Sequence, residues 1–180
     1  MDWMDEVRER EKRKNQILFG KDSQYLAPLQ QQIAEQNHRV VVLWALEYAE
    51  QTAQVLHLRY PDETRPMDAV NMAWEWAAGK IKMRQARRAI LDAHAAAKEW
   101  DSPEDIALCH AVGQACGTVH ATGHAIGFPI YELTAIIRRY GIEDCRLTVE
   151  ERMQQYGERL QYWQGNYENV PMEWAEFMLK

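Results

Sequence analysis

The sequence of 180 residues predicts an all-α protein, and three observations support this fold class. Apolar residues recur at spacings of three and four over long stretches, which is the periodicity of helices that bury one face. Serine, proline and acidic residues stand where helices begin, and glycines stand where helices end. No segment alternates apolar and polar residues over the length of a strand. We therefore predict one domain, a multi-helix bundle without a sheet.

Residues 1–36 are expected to form an N-terminal helical extension. Residues 2–18 are highly charged, and Glu6–Arg10 and Glu9–Arg13 have the spacing of favourable ion pairs on a helix. We interpret this stretch as a solvated helix that packs through Trp3 and neighbouring apolar residues. The alternative interpretation is a docking arm for a partner.

Residues 37–140 are expected to form the core of the domain. A long helix is predicted over 37–58, and it should be well buried because it is apolar on more than one side. Pro66 suits the first turn of the next helix, which should end at Gly79.

The central feature of this core is a predicted helical hairpin rich in Ala, Gly and His. Its first arm is predicted over 83–100. Its second arm begins at Ser102-Pro103 and should run past Gly123, until Gly127-Phe128-Pro129 breaks or kinks it and a helix resumes over 131–140. Small residues at helical spacing allow two helix backbones to approach closely, so we expect this hairpin at the centre of the fold.

Residues 141–180 are expected to form a C-terminal helical extension. Thr148-Val149-Glu150-Glu151 has the pattern of a capping box for a helix that reaches about Trp163. A turn at Gln164-Gly165-Asn166 and a last short helix over 171–178 should follow.

The charge and the cysteine content limit the classes of function. A formal net charge of −6 argues against a general binder of nucleic acid and fits a partner with a basic surface. The longest apolar run, Val40 to Leu46, is too short for a membrane span, which needs about 20 residues. The N-terminus lacks the apolar segment of a signal peptide. Three cysteines follow no disulfide framework, so we predict a cytoplasmic protein with reduced thiols.

Two histidines have a spacing that zinc sites use. His120 and His124 would face the same way on a helix, but Ala121 stands where a metalloprotease helix needs glutamate. In an antiparallel hairpin, His94 should lie beside His110, whereas His120 and His124 should lie near Met83. The histidines therefore form two pairs, and we expect them to pack rather than to hold a metal. We predict no cofactor and no catalytic residue; a metal-dependent helical enzyme or metal-binding protein using His120 and His124 is the alternative.

The C-terminal region offers the best candidates for a partner-binding surface. From residue 143 onward, eight acidic residues stand against four basic ones. Aromatic side chains with a charged rim suit a protein interface. The candidates are Tyr162, Trp163, Tyr167, Glu168, Glu173 and Glu176. The alternative is that the aromatic residues only pack the C-terminus against the domain.

Residues 42–140 also carry a resemblance to a known family. The segment around Arg65-Pro66 is followed by Trp74 to Gly79, then by Ala93-His94-Ala95-Ala96-Ala97, and then by the paired histidines. In this combination the chain resembles the bacterial immunity proteins of polymorphic-toxin systems, in the immunity-protein-five-like group. The resemblance implies an all-helical, non-enzymatic protein whose partner is a cognate protein toxin, which it neutralises by occlusion. A structural or regulatory protein that forms a homodimer through its Gly/Ala face is a further alternative.

Overall fold

Residues 2–180, which a computed structural model describes, fold into eight α-helices joined by loops and short 3₁₀ turns. No strand occurs in this part of the chain, and the predicted all-α class is confirmed. The helices are α1 (Trp3–Lys12), α2 (Ala27–Ala34), α3 (His38–Arg59), α4 (Arg65–Ala77), α5 (Met83–Ala97), α6 (Pro103–Cys116), α7 (Gly127–Tyr140) and α8 (Arg146–Asn166). The 3₁₀ turns are Gly117–Val119, Thr122–His124, Tyr167–Asn169 and Glu176–Leu179.

Helix α3 lies in the middle of the bundle and packs against α4, α6 and α8. Asn37 caps its N-terminus, where the side-chain oxygen accepts a hydrogen bond from the N–H of Val40 at 3.1 Å. The indole N–H of the fully buried Trp44 donates to the carbonyl of Tyr156 in α8 at 3.0 Å. This bond ties two helices that are distant in sequence.

Helices α5 and α6 form the predicted hairpin, but the two arms are buried to different extents. Helix α6 packs against α3, α4, α5 and α7, whereas α5 packs against α4 and α6 and leaves its other face exposed. At Gly113, a Cβ atom would lie 2.4 Å from Nε2 of His94. A side chain at this position would therefore displace the His94 ring from the hairpin.

The predicted path of the chain after α6 is wrong. Helix α6 ends at Cys116, and two 3₁₀ turns separated by the extended residue Ala121 (φ −150°, ψ 128°) lead to α7. Glycine is a poor helix former, and Gly117 and Gly123 both fall in this connection. Pro129 does not break a helix here, because it lies in the first turn of α7, where its missing N–H has no helical partner to lose.

Other helix ends also differ from the prediction. Helix α1 ends at Lys12, close to Lys14 in the left-handed region (φ 58°), and α5 ends at Ala97. Helix α8 begins at Arg146, so Thr148 lies inside its first turn and the predicted capping box is wrong. Residues 164–166 continue α8 instead of turning. Only the short Glu176–Leu179 turn forms in place of the last helix predicted over 171–178.

The C-terminal tail, residues 167–180, returns to the end of α4. The N–H of Ala175 donates to the carbonyl of Ala77 at 2.8 Å, and Met178 is 1% exposed. Gly79 ends the α4 region with a φ of +74°, which favours glycine, and Ala175 packs directly against it. One hydrophobic core runs from Trp3 to Met178, so the N- and C-terminal segments pack into the same bundle as residues 37–140.

None of the helices within residues 2–180 is both long and apolar enough to cross a membrane.

The three cysteines are buried free thiols. Burial raises the pKa of Cys109 to about 12 and also raises that of Cys116. Both thiols therefore stay protonated at neutral pH and are poor nucleophiles.

Candidate functional site: an acidic face and a histidine cavity

The end of α8 and the tail present an acidic face, which we define as Tyr162, Glu168, Glu173 and Glu176. All four side chains are exposed, Tyr162 to 46%. Glu168 accepts a hydrogen bond from the phenol of Tyr167 at 3.2 Å. Glu173 and Glu176 form no ion pair and no side-chain hydrogen bond with the residues that the structure describes. The carboxylates of this face are therefore accessible.

The two remaining aromatic candidates hold this region against α3. The indole N–H of Trp163 donates to Glu47 at 2.8 Å, and the guanidinium of Arg39 lies 4.9 Å from the ring centre of Tyr167. Both rings are half-buried. Trp163 and Tyr167 thus pack the C-terminus against α3, which is the alternative role that the sequence offered for them, and the assignment of all six residues to one binding surface stays a prediction.

The arginines of the C-terminal region do not neutralise the acidic face, because each is paired elsewhere. Arg159 binds Glu47 through two hydrogen bonds of 2.6 and 2.5 Å. Arg152 binds Glu132 at 2.9 and 2.7 Å, and Arg146 pairs with Asp2. The tail itself carries three acidic residues, Glu168, Glu173 and Glu176, and one basic residue, Lys180.

Glu132 forms a buried cluster with Arg152 and Tyr156 that the sequence did not reveal. Its side chain is almost fully buried, and it accepts hydrogen bonds from the Arg152 guanidinium and the Tyr156 phenol. Burial, with the nearby Glu132 carboxylate, raises the pKa of Tyr156, so the phenol keeps its proton. The cluster joins α7 to α8 and is a structural feature of the interior.

His94 and His110 form the pair that the hairpin geometry predicted. Their Nδ1 atoms lie 2.7 Å apart, so one nitrogen donates its hydrogen to the other. Burial, together with the charges on His94 and Lys98, lowers the pKa of His110 to about 4, and burial also lowers the pKa of His94. Both rings are therefore neutral at pH 7.

His120 and His124 lie near Met83, as predicted, but they do not lie on a continuous α-helix. They flank the extended Ala121 and fall in the connection between α6 and α7. The zinc interpretation depended on helical spacing, and that geometry is absent. Within residues 2–180, no group of three or more His, Cys, Asp or Glu side chains is placed to hold a metal ion.

These two histidines line a cavity of about 400 Å³ between α4, α5, α6 and the turn that follows α6. His94 and Arg87 also line it, as does Gly117. The sequence indicated that Gly113 and Gly117 serve helix packing. Gly113 does pack against His94. The cavity itself could not be inferred from the sequence, because its walls come from three separate segments of the chain.

The class of protein that the structure defines is an all-helical bundle. Comparison with known families is more specific: residues 31–159 match the model of a family described as "Imm-5 like putative immunity protein". The chain belongs to this family, and the match extends on both sides of the region 42–140 in which the resemblance was recognised. No curated protein and no solved structure gives a significant match.

Proposed function

We propose that this protein binds a cognate bacterial toxin of a polymorphic-toxin system in the cytoplasm and neutralises it by occlusion. The observation that carries the proposal is membership of the immunity-protein family over most of the chain. Neutralisation by occlusion needs a complementary surface and no catalytic group. The reduced, buried thiols and the neutral histidine pair fit a protein that acts through its surface.

We further propose that the acidic face contacts a basic surface of the toxin. Complementary charge speeds and orients the encounter of two proteins, and exposed carboxylates that form no internal ion pair are suited to this role. Tyr162 adds an exposed aromatic ring, and aromatic residues are enriched among those that dominate binding energy. Trp163 and Tyr167 support the face from beneath through their contacts with α3.

The experiment that tests the function is a binding titration against the product of the neighbouring reading frame, combined with rescue of cells that express that product. We expect a one-to-one complex and restored growth. A complex without rescue, or rescue without a complex, would contradict neutralisation by occlusion.

The location of the interface is tested by charge reversal. The triple variant Glu168→Lys, Glu173→Lys, Glu176→Lys should weaken toxin binding by tenfold or more, roughly 1.4 kcal/mol or greater. A matched control reverses Asp62, Asp101 and Asp144, which are exposed in the loops after α3, α5 and α7. Equal losses in the two triple variants would indicate only a general effect of net charge, and no loss in either would refute the acidic face as the interface.

The two alternatives can be tested in the same preparation. The metal-dependent alternative requires a bound ion, and we expect less than stoichiometric zinc, iron or nickel in protein purified without a histidine tag. The homodimer alternative used the Gly/Ala face of the hairpin. Ala93, Ala97, Ala111 and Gly113 are buried inside the bundle, which argues against a dimer through that face, and the mass of the protein in solution tests for one.

A further inference from the structure

The histidine cavity has the size and the lining of a small-molecule site. Its volume of about 400 Å³ lies in the range of roughly 300–1,000 Å³ that is usual for such sites. Gly113 and Gly117 line it without side chains, and the buried Trp76 forms part of its wall. Apolar surface comes from Trp76, Met83, Ile90 and Leu91.

Polar groups with unused hydrogen-bonding capacity converge on this apolar surface. Arg87, Gln114, His120 and His124 line the cavity, and none of their side chains forms a hydrogen bond or an ion pair with residues 2–180. By contrast, Arg88, one residue further along α5 and outside the cavity, pairs with Asp92 at 3.2 Å. A few convergent polar groups on a mainly apolar surface are the usual composition of a ligand pocket.

The positive charge around the cavity favours a negatively charged ligand. Residues 76–91 contain Lys80, Lys82, Arg84, Arg87 and Arg88 and no acidic residue, although the whole chain has a net charge of −6. All five cations are exposed, and no Asp or Glu lines the cavity. A guanidinium at the edge of an apolar pocket offers paired N–H donors that match a carboxylate or a phosphate.

From these observations we propose that the cavity binds a small organic anion, with its carboxylate or phosphate group on Arg87 and its apolar body against Trp76, Ile90 and Leu91. Gln114, His120 and His124 supply further hydrogen bonds to polar atoms of the ligand. No residue of the acidic face lines this cavity, and the proposal does not depend on toxin binding. A metal cation is disfavoured there by Arg87.

The test uses the full chain and calorimetric titration with phenyl phosphate, benzoate, benzyl alcohol and inorganic phosphate. We expect at least one of the two aromatic anions to bind at one site, more tightly than both the neutral alcohol and inorganic phosphate. A preference between phenyl phosphate and benzoate identifies the anionic group. Binding of inorganic phosphate as tightly as the aromatic anions would overturn the proposal, because inorganic phosphate has no apolar body that could occupy the cavity. Failure of both aromatic anions to bind at millimolar concentration would also overturn it.

A matched pair of variants locates the site. Arg87→Gln should weaken the binding of the tighter aromatic anion about tenfold or more, whereas Arg84→Gln, on the same helix but outside the cavity, should change it less than about twofold. Both arginines are exposed, so the fold should tolerate either change. Equal effects of the two variants would contradict a defined site.

An NMR titration gives an independent readout that needs no variant. The ring resonances of His120 and His124 and the indole of Trp76 should shift on addition of the anion. Shifts confined to Lys80, Lys82 and Arg84 would place the ligand on the outer surface of α5 and refute the cavity site.

Discussion

At the scale of single residues, each charged group that is taken into the interior has a specific partner. Glu132 is held by Arg152 and Tyr156, and Glu47 is held by Arg159 and Trp163. Among residues 2–180, no buried side-chain polar atom lacks a hydrogen-bond partner. Removing one member of such a pair leaves the other as an uncompensated buried charge.

The Glu132–Arg152 pair gives the sharpest stability prediction. Arg152→Met should lower the free energy of unfolding by about 3 kcal/mol, because Glu132 loses its guanidinium partner in the interior. Urea unfolding measures this loss. Arg139→Met is the control, since Arg139 is half-exposed and lies 3.8 Å from Glu104; its cost should stay below about 1 kcal/mol. Equal costs would show that the buried pair has no special role.

The histidine pair predicts a dependence of stability on pH. His110 has a pKa of about 4 in the folded protein against an ordinary value of 6.5. Between pH 4 and pH 6.5 the unfolded chain binds a proton at His110 that the folded protein does not bind. The free energy of unfolding is therefore highest above pH 6.5, and it decreases as the pH falls towards 4. After allowance for solvent at this half-buried site, the loss should be about 1–2 kcal/mol. Urea unfolding at pH 7 and pH 4.5 should show it, and His110→Gln should reduce the difference; an unchanged pH dependence would contradict the assignment.

At the scale of helices, the sequence predicted those ends that a local signal determines. Asn37, Ser102, Pro66 and Gly79 stand at or next to the ends of α3, α6 and α4 as expected. Local sequence signals did not predict helix ends whose positions are set by tertiary contacts. Gln164-Gly165-Asn166 resembles a turn, yet α8 continues through it, since Arg159 and Trp163 fix this part of the helix on Glu47.

The sequence indicated helix caps at Ser102 and at Thr148, and the structure contains only the first. Substitution of the two residues by alanine should therefore change the stability by different amounts. The Ser102 hydroxyl accepts the N–H of Asp105 at 3.2 Å, so Ser102→Ala should cost about 1 kcal/mol of stability. Thr148 lies inside α8, and Thr148→Ala should change stability by less than about 0.5 kcal/mol. Thermal or urea unfolding of both variants checks this, and a loss at Thr148 as large as that at Ser102 would restore the capping box.

At the scale of the whole molecule, the net charge of −6 conceals two stretches of the chain that carry opposite charge. The three glutamates of the acidic face lie on the tail, and the five cations of residues 80–88 lie in the loop before α5 and in its first turns. The sequence identified the acidic residues because they cluster along the chain. It did not identify the histidine cavity, because Trp76, Arg87 and His124 meet only when α4, α5 and the turn after α6 are assembled.

The acidic face predicts how toxin association depends on salt. If its carboxylates guide the encounter, the association rate constant should fall as sodium chloride is raised from 50 to 500 mM, while the dissociation rate changes less. Stopped-flow measurements separate the two rates. The charge-reversed triple variant should show a much weaker salt dependence than the native protein, and identical salt dependence in the two would exclude steering by this face.

The attachment of the tail has a consequence for how such a protein can diverge. The tail is fastened by a main-chain hydrogen bond from Ala175 to Ala77 and by the buried Met178. Neither attachment uses the side chains of Glu168, Glu173 or Glu176. Mutations at these three positions can therefore accumulate in a lineage without loss of the folded state. A descendant can acquire a new recognition specificity while it inherits the same bundle.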